Sequence, residues 1–192
     1  MTQPDVRAFH DEATFTITYV VSDPATRQAA IVDPVLDFDA ASGRTSTKSA
    51  DEVVAFVEAQ KLDVAWILET HVHADHLSGA PYLRRKLGGT TAIGNDVSTV
   101  QETFKTVFNL KDLATDGSQY DVLLGDDEEL DVGPFSIKAH HAPGHTPACS
   151  VWHIGKMIFV GLVLGALGDV FLLGRGKFFD GRRLDDIHLF SA

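Results

Sequence analysis

The sequence is poor in cysteine and in positive charge. Its one cysteine, Cys149, rules out an intrachain disulfide, so the fold must hold by packing, and the shortage fits a reducing compartment. Lysine and arginine number 16 against 27 aspartates and glutamates, a net charge of −11. A surface this negative repels nucleic acid and anionic membranes, so neither is an expected partner. The first residues lack both the basic and the apolar stretch of a secretory signal, which makes the cytoplasm the expected location. Internal repeats, low-complexity tracts and a linker before residue 160 are also missing. What remains is ordinary globular composition, 44% hydrophobic and 22% charged. A chain of this length buries roughly 70% of its unfolded surface and needs no staple.

Local patterns alternate between strand and helix. Residues 13–22 are rich in Thr, Val and Phe and read as a strand, with 29–32 returning as its hairpin partner up to Asp33-Pro34. Residues 37–48 are small and polar and read as a loop. A helix is expected over 49–61, opened by a capping box of Ser49 and Glu52, with Val53, Val54, Phe56 and Val57 on one face. The apolar run 64–68 reads as a buried strand. Residues 80–87 read as a helix ended by Gly88-Gly89, 90–93 as a strand, and 96–108 as a helix capped by Asp96. Residues 123–132 read as an acidic turn with an edge strand, 135–139 as a strand, and 151–154 with 157–160 as a hairpin around Gly155-Lys156. This order implies an α/β layered domain.

The nine histidines are unusual because they cluster. His71, His73, Asp75 and His76 form H-x-H-x-D-H directly after the buried strand 64–68. A loop in that place aims alternate side chains at one point while the strand holds it. Imidazole suits zinc and iron, and a carboxylate neutralises charge. A second group, His140-His141-Ala142-Pro143-Gly144-His145, puts a Pro-Gly turn before His145, which can then point back at the first cluster. His140 and His141 are expected beside the site but outside the ligand set. His10, His153 and His188 lack such context and read as structural or exposed. Residues 126–131 lack calcium-loop spacing and read as a solvated turn. Cys149 reads as a small packed residue, since no triad pattern accompanies it.

Together, Thr-His-Val-His-Ala-Asp-His and Pro-Gly-His-Thr-Pro resemble the metallo-β-lactamase superfamily. The flanking segments 31–39, 42–47, 67–89 and 114–121 and the run 141–149 are similar to its persulfide dioxygenase (sulfur dioxygenase) branch, of which hydroxyacylglutathione hydrolases are relatives. The resemblance covers residues 15–161. It implies an αββα sandwich, incomplete at its C-terminal side, with a metal at the edge of its two sheets. In the dioxygenases one Fe(II) per chain is held by two histidines, matched by His71 and His145, and by one carboxylate. Glutathione persulfide is then oxidised by O2 to sulfite, with release of glutathione. In the hydrolases His71, His73 and His145 match one Zn(II) site and Asp75 and His76 the other, and a metal-bound water attacks a thioester. Asp75 and His76 are therefore expected to act in catalysis as second-site ligands or as groups that orient the first, Asp75 by fixing a histidine tautomer.

The sequence departs from this family after Gly161. Where the family carries its aspartate ligand stands Leu162, which cannot bind metal, and the nearest later carboxylate is Asp169. Residues 1–161 are read as the metallo-β-lactamase-like portion and 162–192 as an apolar tail. The tail resembles a short piece of the lysoplasmalogenase-like membrane family, as if fused or frame-disrupted. A spanning helix needs about 20 residues and tolerates a charge such as Asp169 poorly, so membrane contact is not the leading expectation. Exposed apolar edges would favour homo-oligomers. The expected activity is therefore a dioxygenase acting on a small thiol or persulfide. The alternatives are a zinc-dependent thioester hydrolase and an inactive truncated or chimeric chain.

Overall fold

The computed structural model describes residues 3–72, 77–144, 146–155 and 157–160, together with the backbone of 188–191. The elements run β1 (Asp5–His10), β2 (Ile17–Ser22), β3 (Gln28–Val32), β4 (Val35–Asp39), β5 (Arg44–Ser46), α1 (Lys48–Gln60), β6 (Asp63–Leu68), β7 (Leu77–Ser78), α2 (Ala80–Leu87), β8 (Thr90–Gly94), α3 (Val97–Val107), β9 (Val122–Leu124), β10 (Glu129–Val132), β11 (Phe135–His141), β12 (Ser150–Ile154), β13 (Met157–Val160) and β14 (His188–Ser191).

Two sheets form the centre. The first has the order β1-β2-β3-β6-β8-β9 and the second β10-β11-β12-β13-β14. β1 to β3 are antiparallel, whereas β3, β6, β8 and β9 run parallel, so the carboxyl ends of these four strands share one edge. The parallel strands are covered on both faces, which is why β3 and β6 read as nearly continuous apolar runs. Between the sheets pack Tyr19, Val21, Ala30, Val32 and Leu68 of the first against Ile137, Trp152, Ile154 and Phe159 of the second. The opposite face of the first sheet, with Val20, Ile31 and Ile67, packs against Val53 and Val57 of α1 and Leu83 of α2. Helices therefore cover one face of a two-sheet stack. The tail, the boundary at 161/162, Leu162 and Asp169 all lie outside the described residues.

Three local expectations are corrected. Residues 37–48 are not one loop, because β4 and β5 pair there and β4 also pairs with β7 in a small third sheet. The capping box of Ser49 and Glu52 does not form. α1 begins one residue earlier with Thr47 at its N-cap, and the Ser49 amide and hydroxyl both donate to the Asp37 carboxylate, at 3.0 and 2.6 Å. An added strand, β1, pairs with β2 along its whole length. β7, β9 and β14 are also unexpected and β2 starts at Ile17 and not at residue 13, while the other helices and strands lie within about two residues of their expected places.

A candidate metal centre at the edge of the two sheets

The site is built at the carboxyl end of β6. After Leu68 the chain stays buried through Glu69, Thr70 and His71, each 1% exposed. Burying three polar residues in a row costs several kcal/mol unless each is hydrogen-bonded. The Glu69 amide donates to the Ala92 carbonyl at 3.0 Å. The Thr70 amide donates to Asp33 Oδ1 at 2.7 Å and the Thr70 hydroxyl to Asp33 Oδ2 at 2.8 Å. The Thr70 carbonyl accepts the Ser150 amide at 2.8 Å, which ties the first sheet to the start of β12 in the second.

This network fixes the state of the His71 ring. Thr70 Oγ1 lies 2.9 Å from His71 Nδ1. The single hydroxyl proton of Thr70 is already given to Asp33, so in this contact Oγ1 accepts and Nδ1 carries the hydrogen. The neutral ring then presents its lone pair at Nε2, the form that a metal-ligating histidine needs. A carboxylate, a hydroxyl and an imidazole thus stand in series behind the ligand atom.

Asp33 is itself held in an uncommon backbone conformation, with φ +48. Aspartate tolerates this left-handed region better than most residues do. Its amide donates to the Leu68 carbonyl at 2.9 Å, and its carbonyl accepts the Thr18 hydroxyl at 2.9 Å. The turn at Asp33-Pro34 therefore serves as the anchor against which the metal loop is set.

The trailing end of that loop is anchored at the same turn. Ser78 pairs with Val35 and Leu77 with Leu36. The Gly79 amide donates to the Pro34 carbonyl at 2.6 Å. A Cβ at Gly79 would stand 2.7 Å from the Val35 carbonyl oxygen, so glycine is what allows this close approach. The Ser78 hydroxyl donates to Glu69 Oε1 and accepts the Ala80 amide at 3.0 Å, at the start of α2.

The second histidine group folds back to the same place. The 142–149 loop is closed at its base by the Ala142 amide donating to the Cys149 carbonyl at 2.9 Å, and the next residue, Ser150, is the one bonded to Thr70. His141 braces the loop. Its Nε2 lies 2.9 Å from the Pro147 carbonyl and 3.3 Å from Asp96 Oδ2. Both partners accept, so Nε2 carries a proton and His141 supports the loop as a donor. Cys149 is half-buried and accepts the Thr146 amide at 3.1 Å, consistent with a packed residue. Of the five expected ligands, His71 is placed in full. His73, Asp75, His76 and His145 lie outside the described residues, on the two loops whose ends the structure brings together.

Of the other histidines, His188 has its side chain outside the described residues. His140 is buried, with Nδ1 3.2 Å from Asp127 and its ring stacked 5.8 Å from that of His153. Burial is the main reason its pKa lies below the ordinary value; Asp127 pulls it upward and His153 and Lys138 push it down. Ligand-type atoms of Asp126, Asp127 and His140 lie within 4.8 Å of one another, and the Lys138 ammonium already pairs with Asp127 at 3.0 Å. His10 is exposed near Phe15.

Sequence reasoning missed Asp33, Glu69, Ser78, Tyr120 and Ser150. Tyr120 is partly buried, and burial together with the charges of Glu69 and Asp33 pushes its phenol well above the ordinary value. Tyr19 is pushed up to about 12, chiefly by burial and then by Asp33. Both phenols are neutral donors at physiological pH. The one available signal was the run of polar residues, Glu69-Thr70, between an apolar strand and the histidine motif.

The donor set fits a divalent transition metal. In the sequence, His73, Asp75, His76 and His145 add three imidazoles and a carboxylate to His71, whose tautomer is set for ligation.

Comparison with known proteins agrees with this geometry. The chain is 51% identical over 148 residues to a "probable metallo-hydrolase" of Burkholderia pseudomallei (strain 1710b), covering 77% of this chain and 50% of that protein. It is 43% identical to glyoxylase B2 of Dictyostelium discoideum, covering 81% and 54%. It is 25% identical to the mitochondrial persulfide dioxygenase ETHE1 of Mus musculus, covering 81% and 51%. The chain thus spans about half the length of the curated relatives it matches. Among solved structures, ETHE1 from Myxococcus xanthus superposes with a TM-score of 0.63 at 26% identity, over 83% of this chain and 58% of that one. The resemblance to the persulfide dioxygenase branch is therefore present in both sequence and fold, beside higher identity to hydrolase-named relatives. The model of the metallo-β-lactamase superfamily, whose members bind metal ions and are typically enzymes, matches residues 14–185, and the chain belongs to that superfamily.

Proposed function

We propose that this chain is a metal-dependent oxidoreductase of the persulfide dioxygenase type. It would take glutathione persulfide, O2 and water to glutathione and sulfite. His71 and His145 are the histidines that would hold one Fe(II). His73, Asp75 and His76 would serve a second position or orient the first. Iron held there would supply the redox chemistry that lets O2 react with the persulfide. The chain's own part is to hold His71 Nε2 as the donor through Asp33 and Thr70, and to keep that ring out of water at 1% exposure. The observation that carries the reading is the joint likeness to the ETHE1 proteins in sequence and fold.

A zinc-dependent thioester hydrolase of the hydroxyacylglutathione hydrolase type is the second reading. The identities to the probable metallo-hydrolase and to glyoxylase B2 favour it, as does the presence of His71, His73, Asp75, His76 and His145 together. Protein purified without oxygen and loaded with iron should consume O2 and form sulfite from glutathione persulfide. Thioester cleavage stimulated by zinc, with no sulfite from the iron form, would replace the first reading by the second. Leu162→Asp restores a carboxylate at the family's ligand position. If that variant gains metal and still shows neither activity, the chain is an inactive member.

A further inference from the structure

The loop bearing His73, Asp75 and His76 is bounded by two residues that touch each other. Glu69 precedes it and Ser78 follows it, and the Ser78 hydroxyl donates to the Glu69 carboxylate. Other described ties fix one end of the loop to a neighbouring element. Thr70 is held by Asp33, Gly79 by Pro34, Ser78 by Val35 and Glu69 by Ala92. The contact between Glu69 and Ser78 closes the loop on itself.

We propose that Glu69 is a positioning residue, a clasp that joins the two ends of the metal loop and thereby raises its affinity for a divalent metal. The inference rests on the metal-binding reading above. A chain segment with its ends joined has fewer conformations to lose when several of its side chains converge on one ion. Glu69 is 1% exposed, and a carboxylate is buried this deeply only where donors compensate its desolvation. Ser78 is well placed as such a donor. Its oxygen also accepts the Ala80 amide at 3.0 Å, so its hydroxyl proton is directed to Glu69, and the clasp is continuous with the first turn of α2. Ala80 and Leu83 of that helix are seated in the core, which makes the trailing end a firm support.

The test is the dissociation constant for Zn(II), measured by competition with a chromophoric chelator, and the visible spectrum of the Co(II) form. The proteins are wild type, Ser78→Ala, Glu69→Leu, the double variant and Glu69→Gln. Unfolding of each metal-free protein in urea is followed in parallel. Ser78→Ala and Glu69→Leu should each weaken zinc binding by about ten- to a hundredfold, the range for groups that orient metal ligands. The double variant should be no weaker than the worse single one, since both break the same contact. Glu69→Gln keeps an acceptor oxygen for Ser78 and should retain most of the affinity and the Co(II) spectrum. The clasp is overturned if Ser78→Ala binds zinc as wild type does, or if Glu69→Gln falls as far as Glu69→Leu; the latter would make charge the cause. Should Glu69→Leu fail to fold, Ser78→Ala and Glu69→Gln decide. Failure of wild type itself to bind zinc or cobalt would instead overturn the metal-binding reading.

Discussion

Replacing Thr70 by valine separates the chemistry of the Asp33–Thr70–His71 series from its packing. Valine has the shape of threonine, so no cavity opens and the cost is that of the hydroxyl alone. Two hydrogen bonds are lost, the one given to Asp33 Oδ2 at 2.8 Å and the one accepted from His71 Nδ1 at 2.9 Å. A bond to an ionised group contributes about 1.5–3 kcal/mol and a neutral one about 0.5–1.5 kcal/mol. Both sites are buried, so water does not replace the hydroxyl without further opening. The expected loss is about 3 kcal/mol, or about 10 °C in Tm for a domain of this size. The ring of His71 also loses the partner that sets its tautomer, and metal affinity should fall about ten- to a hundredfold. Urea unfolding of the metal-free protein measures the first effect and chelator competition the second. Thr70→Ser keeps the hydroxyl and should lie much closer to wild type in both. A Thr70→Val protein as stable and as tight for metal as wild type would refute the reasoning.

Two further expectations follow from the geometry. Gly79→Ala places a methyl carbon 2.7 Å from the Val35 carbonyl oxygen, in a backbone conformation that alanine otherwise accepts (φ −81, ψ −5); overpacking of this kind costs about 1–3 kcal/mol, read as a lower urea midpoint. His140, with a folded pKa below its ordinary 6.5, binds fewer protons folded than unfolded, so its contribution to stability is present above about pH 6.5 and is lost as pH falls below that value toward the folded pKa. His140→Gln should therefore flatten the decline of unfolding free energy as pH falls below about 6.5, and an unchanged slope would remove this residue from the acid response.

Much of this was legible in the sequence, for physical reasons that also mark its limit. β6 was readable because it is apolar from Val64 to Leu68, and the hairpin of β12 and β13 because Gly155 takes the positive φ of its turn. β1 was missed because most of its residues face solvent and its pairing with β2 leaves no apolar alternation. β4 and β5 were read as loop because Asp37, Asp39 and Ser46 suggest a turn; the third strand of their sheet, β7, lies beyond α1 and β6 in the sequence. Ser49 carries the cap signature, yet Asp37 takes its hydrogen bonds from across the small sheet. At the site, the spacing of His71, His73, Asp75 and His76 suggests metal chemistry in the sequence, and of these four the structure describes His71. The roles of Asp33 and Glu69 were not legible, since Asp33 acts from the turn after the neighbouring parallel strand β3 and its positive φ leaves no mark in sequence.

The central claim, that the edge of the two sheets is a metal centre with His71 as a ligand, is tested most directly by metal content. Wild type and His71→Ala would be purified without oxygen from cells supplied with both iron and zinc, checked for folding by circular dichroism, and assayed by elemental analysis. The account predicts about one metal ion per wild-type chain and little in folded His71→Ala. Equal metal in the two proteins, or none in wild type, would contradict it.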